Sequence, residues 1–292
     1  MSVIVECNSN ETGALNTGAK EQCYLGVTTK YAFSPDPNYG FESLEDLKDK
    51  DAWDTAIANK DIYPLYEAEE YANANTDPAF YEGLRKQYKT ADGKKIRTFR
   101  SVIGLCSYRA LLSHSGKPGR VFEFTEDPGI KAVQHDNKFK GQKATLDVGD
   151  LEDTVSGTPQ STVVTVNYTD KKEYTNNGVN VRLNDWGDQD IFGIFDVNLV
   201  QVSASATSIK FKAIAGCAGG NENVKSLLEN DVVLRDITGE IQNTSFVPAD
   251  TDGVYEITGE DFANGFKLSL VGVVTKTNVS YESPEPLTIK IT

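Results

Sequence analysis

The feature that most constrains this chain is an apolar beat of two that recurs in short runs. Successive side chains on a strand point to opposite faces, so such a beat marks a strand with one buried face. Ser208-Ile209-Lys210-Phe211-Lys212-Ala213 alternates cleanly, and Val163, Val164, Val166 and Tyr168 put strong β-formers into the run 161–168. Further runs are Val121–Phe124, Lys143–Val148, Val197–Val202, Val232–Leu234, Gly253–Ile257, Phe266–Val271 and Leu287–Ile291. Ile96, Val102, Ile103, Leu105 and Tyr108 also fall in alternating stretches, and Gly, Asn, Asp and Pro separate the runs. The chain is expected to be mainly β with some α.

Helical spacing is confined to the N-terminal half. Leu44, Leu47, Trp53 and Ile57 fall near one face of a helix over 43–59, and Ser43 with Asp46 forms a start of capping-box type. Residues 79–87 suggest a second short helix, and Ala91-Asp92-Gly93-Lys94 reads as a tight turn. The first 40 residues are rich in Asn, Gly, Thr and Ser and close on Pro35-Asp36-Pro37-Asn38. They read as an arm that orders only against a neighbouring chain. The expected organisation is an extended arm (1–40), an α+β, strand-rich body (41–195) and a β-sandwich (196–292). About seven short strands in roughly 95 residues is an immunoglobulin-like pattern. A Cys…Trp…Cys signature is lacking, so an antibody-type domain is not expected.

Composition narrows the function. Lys plus Arg is 29 against 43 Asp plus Glu in 292 residues, a net charge of −14. That balance argues against an overall nucleic-acid-binding surface, which needs clustered cations. An apolar share of 39% is enough for packed cores. No run approaches the ~18 to 20 apolar residues of a membrane span. Met1–Cys7 lacks a basic start and a long apolar stretch, so no secretory signal is expected. Cys7, Cys23, Cys106 and Cys217 include no Cys-x-x-Cys pair. They are expected to be reduced and mostly buried, with Cys7–Cys23 as the one local pairing worth considering.

Catalytic motifs are missing. The sequence contains no Gly-x-Ser-x-Gly elbow, His-Glu-x-x-His, Walker A or Gly-x-Gly-x-x-Gly pattern. His114 and His135 sit in polar, turn-like contexts and read as solvated loop residues. Gly216–Gly220 reads as a sandwich loop. Two acidic clusters, Asp147/Asp150/Glu152/Asp153 and Asp185/Asp188/Asp190, could offer oxygen ligands to calcium. Neither has EF-hand spacing, and a solvated loop is the better reading of each. No catalytic residue, metal ligand or cofactor site is assigned.

One basic run stands out in an acidic chain: Arg85, Lys86, Lys94, Lys95, Arg97 and Arg100. Its readings are a solvated face, a contact with an acidic patch on another copy, or a nucleic-acid contact. Opposite patches on one chain favour head-to-tail assembly, which closes into rings.

The stretches Asp231–Gly239, Asp252–Thr258 and Gly265–Leu270 resemble the bacterial Ig-like repeats appended to tail and capsid proteins of tailed bacteriophages, over about a third of the chain. The N-terminal part is more loosely similar to tail tube proteins, through its irregular start, its amphipathic helix and the strands Gly116–Phe124 leading to Phe139–Gln142. That resemblance implies a β-sandwich or half-barrel body, hexameric rings stacked into a tube, an acidic lumen along which DNA slides without specific binding, and no cofactor. The expected function is therefore a non-enzymatic virion subunit made in a host bacterial cytoplasm, a tail tube or ring protein whose partners are its own copies and other virion proteins. The rivals are a capsid decoration protein, an Ig-like module binding glycans or a receptor, and, ranked last, a hydrolase with a carboxylate pair.

Overall fold

The computed structural model describes residues 7–8, 25–216, 222–276 and 279–291. The chain is mainly β, with 46% strand and 13% helix, so its few short helices accompany antiparallel sheets, one of them a curled half-barrel. It divides into two compact units, Met1–Ile191 and Phe192–Thr292.

The first unit contains strands β1 (Cys7–Asn8), β2 (Thr28–Ser34), β3 (Tyr63–Pro64), β4 (Glu70–Asn73), β5 (Ala79–Glu82), β6 (Gln87–Ala91), β7 (Lys95–Val102), β8 (Pro118–Thr125), β9 (Gly129–His135), β10 (Lys138–Lys140), β11 (Gln142–Val148), β12 (Ser161–Tyr168) and β13 (Gly178–Arg182). Its helices are α1 (Leu44–Lys48), α2 (Lys50–Ala58), α3 (Leu105–Leu112) and α4 (Glu173–Asn177). All the strands except β5 and β6 join one sheet.

β8 organises that sheet. One edge pairs with β2; the other pairs with β11 through Pro118–Val121 and with β9 through Glu123–Thr125. The chain from β10 to β11 must therefore leave β9 and cross to β8, and it does so at Gly141. A Cβ there would lie 2.7 Å from Val121 backbone atoms, which only glycine tolerates. The sheet then curls. Residues 63–68 bond to β2, with Leu65 N–H donating to Tyr31 O and Ala68 N–H to Thr29 O. Glu69 and β4 bond to β7, β7 to β12, and β12 to β11. Hydrogen bonds thus run from β8 through β2, 63–73, β7, β12 and β11 back to β8. The cluster of Tyr31, Phe33, Leu65, Phe99, Val121, Leu146, Val164 and Val166 draws on β2, the 63–73 segment, β7, β8, β11 and β12.

For residues 25–40, of which Thr28–Ser34 form β2, this placement corrects the reading of an arm. Tyr31, Ala32 and Phe33 are fully buried in β2. Most of residues 1–24 lies outside the described residues. Local polarity hid β2 because its partners are 30 to 90 residues away, and pattern reading sees only neighbours.

The helix expected over 43–59 is two helices. Ser43 Oγ accepts from Asp46 N–H and the Asp46 carboxylate accepts from Ser43 N–H, as the sequence suggests. Asp49 is extended (φ −82°, ψ 119°), ending α1 while its side chain caps α2. Trp53 bridges the break, its Nε1–H donating to Leu47 O at 2.9 Å. Its ring lies 4.9–6.1 Å from those of Phe41, Phe122, Phe124 and Trp186. Edge-to-face and tilted pairs of this kind add to plain burial. Two further expectations are corrected. Leu105 and Tyr108 lie in α3, not in a strand, and 79–87 enters the β5–β6 hairpin, not a helix. Phe80, Tyr81 and Tyr88 favour strands, and Gly83 begins the turn between them.

The second unit contains β14 (Ile194–Ala204), β15 (Ser208–Ala215), β16 (Glu222–Asn223), β17 (Val232–Arg235), β18 (Ser245–Val247), β19 (Val254–Thr258), β20 (Lys267–Leu270), β21 (Val274–Lys276), β22 (Val279–Glu282) and β23 (Leu287–Thr288). One sheet runs β18-β19-β15-β14-β22-β21 with β16 beside β15; the other is β17-β20-β23. Phe211, Tyr255 and Ile257 of the first share a core with Leu234, Leu268 and Leu270 of the second, a two-sheet sandwich. Tyr255 stacks on Phe211 at 5.3 Å, and its hydroxyl donates to Val224 O and accepts from Leu227 N–H. β14 pairs in parallel with β22 over its first residues and antiparallel with β15 thereafter.

Candidate assembly surface

The structure divides the basic run. Lys95 lines the inner part of a cleft, its Nζ donating to Gln142 Oε1 at 2.6 Å and lying 4.1 Å from the Tyr168 ring centroid. Burial lowers its pKa to about 8 against the opposing pull of Glu123. Arg97 donates to Asn75 Oδ1 and Ile96 O. Arg100 pairs with Glu152 at 2.5 Å and Glu70 at 3.3 Å. These three side chains are engaged within their own chain. Arg85, Lys86 and Lys94 are exposed and make no ion pair among the described residues. Arg85 and Lys86 sit in the β5–β6 turn, and Lys94 lies between β6 and β7.

That hairpin is the feature that pattern reading missed. Among the described residues β5 and β6 pair only with each other, and every residue in them is exposed. Phe80, Tyr81, Leu84 and Tyr88 present apolar surface, Leu84 as fully as an isolated residue would. Single exposed apolar residues are ordinary, but here Tyr81 and Tyr88 face each other across the hairpin, with Phe80 on the opposite face and Leu84 in the turn, a concentration of the kind that marks an interface. The hairpin leaves the body beside Lys95. Ala74 N–H donates to Ile96 O and Thr76 N–H to Lys94 O, which carries the β4–β7 pairing to its base. The available signal was the aromatic content on either side of Gly83, which outweighs helix propensity.

Inside the curled sheet, next to the Lys95 cleft, lies a carboxylate. Glu123 is 3% exposed. Its oxygens accept from Tyr168 Oη at 2.5 Å, Thr28 Oγ1 at 3.0 Å and Gln142 Nε2 at 3.0 Å, with Lys131 Nζ at 3.7 Å. Burial alone would raise its pKa. The Lys131 and Lys95 charges and the hydrogen bonds outweigh that, so the pKa lies below the usual carboxylate range. Burial and the Glu123 charge push the Tyr168 hydroxyl well up. A second buried pair joins Arg120 and Glu173 at 3.3 Å, with Arg120 also donating to Gly141 O and Pro37 O. These groups are saturated by partners, which is the arrangement of a fixed structural centre.

Several of the remaining candidates also have partners. His114 is not a solvated loop residue: its ring packs 4.7 Å from Tyr63 and 5.5 Å from Phe33, and burial, then Lys117, lowers its pKa. His135 Nδ1 lies 2.7 Å from the Asp136 carboxylate, whose pKa the contact lowers. In the acidic clusters, Asp147 accepts from Asn167 and Asp190 from Gly187 N–H, while Asp188 offers its backbone oxygen to Lys30 Nζ. Among the described residues, no group of three or more His, Cys, Asp or Glu side chains is placed to hold a metal, and no helix is long and apolar enough to cross a membrane. Cys106 is disulfide-bonded, which corrects the expectation of reduced thiols. Long-range pairing leaves no trace in cysteine spacing. The suggested Cys7–Cys23 pairing and most of Gly216–Gly220 also lie outside the described residues. No protein-family profile, curated protein or solved structure matches the chain.

Proposed function

We propose that the chain is a non-enzymatic structural subunit of a tailed-bacteriophage virion, a tail tube or ring protein that assembles with copies of itself. The observation carrying this reading is the β5–β6 hairpin, an apolar and basic element without a sheet partner among the described residues. An exposed patch of this kind is costly to leave in water and is retained where a partner covers it. The occupied state of the buried ionisable centres is in keeping with a scaffold. In this reading the Ig-like sandwich is an accessory module, and the acidic surface lets DNA pass without sticking.

The test compares the full chain with Y81S/L84D by light scattering after size exclusion and by negative-stain microscopy. Both substitutions fall on exposed positions, so the fold is expected to tolerate them. Rings or tubes in the wild type that disappear in the variant support the reading. A wild type that stays monomeric at every concentration overturns it and favours a capsid decoration or glycan-binding role. Deleting residues 1–40 is not a usable test, because it removes β2 from the core.

A further inference from the structure

The two ends of the curled sheet differ in charge, and from this we infer a head-to-tail contact in which the lysine cleft at one end receives the acidic β11–β12 loop of a second copy. The inference rests on the self-assembly reading and deepens it by naming both surfaces.

Strand register fixes the ends. β7 and β12 pair Lys95 with Tyr168 at one end and Val102 with Ser161 at the other. At about 3.3 Å per residue these lie roughly 23 Å apart. The first end holds a cavity of about 360 Å³ lined by Lys94, Lys95, Lys171 and Lys172, with Asp92 and Asp170 as its carboxylates. Both acids are engaged: Asp92 by Lys89 and Lys171, and Asp170 by the Lys172 backbone N–H. Lys94 and Lys172 are exposed and make no ion pair among the described residues. In a chain of charge −14, this is a local surplus of cations.

The other end carries the complement. The β11–β12 loop is braced by paired bridges, Glu152 with Ser161 and Val155 with Thr158, so it is a preformed finger. Gly157, at φ +83°, makes the turn at its tip. Asp150 and Asp153 are exposed and unpaired among the described residues, and Glu152 is exposed although it also holds Arg100. Apolar surface accompanies the charge at both ends: Val155, Leu105 and Leu112 beside the finger, and the hairpin aromatics beside the cleft. Single exposed ion pairs contribute little, but opposed patches set register and exclude wrong pairings. Unlike surfaces at opposite ends of one chain make a heterologous contact that repeats from copy to copy.

Charge reversal tests the contact. K94E/K171E/K172E makes both ends acidic, and D150K/E152K/D153K makes both basic. Far-UV circular dichroism and tryptophan emission establish that each variant is folded. Each variant alone is expected to assemble at least about tenfold more weakly than wild type at low salt. An equimolar mixture is expected to recover wild-type assembly, because each end of one variant then faces its complement on the other. The contact is overturned if either variant assembles alone like wild type, or if the mixture stays apart. It is overturned equally if the cleft binds inorganic phosphate while assembly ignores the reversals. A wild type that never assembles overturns the self-assembly reading and this contact together, whereas assembly indifferent to charge removes this contact alone.

Discussion

Replacing Glu123 by Gln should destabilise the first unit by about 3 kcal/mol. The substitution keeps shape and one acceptor oxygen, so Tyr168 and Gln142 retain a partner. It removes the charge that Lys131 and Lys95 face and sets an amide NH2 against the Thr28 hydroxyl and Lys131 Nζ. Breaking a buried ion pair from one side costs about 3–5 kcal/mol, and the cheaper burial of a neutral amide offsets part of it. Both tryptophans, Trp53 and Trp186, lie in the first unit, so tryptophan emission in a urea titration follows that unit alone. With a slope of about 2 kcal/mol per molar urea, the midpoint should fall by about 1.5 M. The pH dependence has a definite sign. A carboxylate held below its unfolded pKa stabilises above that unfolded value, and the benefit is lost as pH falls through the folded one. Wild type should therefore lose stability below the ordinary glutamate range, and E123Q should lose less there. In a K131M background the cost of E123Q should shrink by about 1 kcal/mol or more, since the lysine no longer waits unpaired. A midpoint shift under about 0.3 M in the single variant would refute the claim that this centre holds the curled sheet together.

Three further outcomes follow from the same packing. Phe122→Ala empties part of the aromatic cluster around Trp53 and should cost about 3–5 kcal/mol, read by urea unfolding. Lys95→Met should change the pH response: wild type should gain stability relative to the variant as pH rises from about 8 towards the ordinary lysine range, because the cost of a buried charge is then relieved. An unchanged difference across that window would show that the amine is well solvated. Tyr255→Phe removes a hydroxyl that joins Val224 O to Leu227 N–H and should cost about 1–2 kcal/mol. The loss should appear as faster amide exchange in the second unit, with the tryptophan-detected transition unmoved.

Local signals were legible where the cause is local. The Ser43–Asp46 cap and the alternation through β12, β15 and β19 reappear as hydrogen bonds and buried faces, whereas β8 is buried on both faces. What escaped depended on distant partners. β2 looks polar until β8 and residues 63–68 cover it, and the closure of the sheet rests on pairings with no sequence periodicity. α3 begins at Gly104 without a side-chain cap, which left its apolar residues readable as a strand. The inward turn of Lys95 was not legible, because sequence cannot tell a lysine turned inward over a tyrosine from one in water. The Asp49 break went unseen because one aspartate serves two helices.

The strand that opens the second unit has a mechanical consequence. Its first residues, Ile194 to Asp196, lie parallel to Ser280–Glu282, close to the unit's other end. Tension applied through the two ends of this unit pulls those strands past each other along their length. The bonds between them are then loaded together in shear, whereas a hairpin pulled from its open end unzips one bond at a time. Resistance to such a pull is set by the rate of unfolding and not by equilibrium stability. Held under load, the three residue pairs at the entrance act as a shear clamp, in series with the β23–β20 pairing nearer the other end.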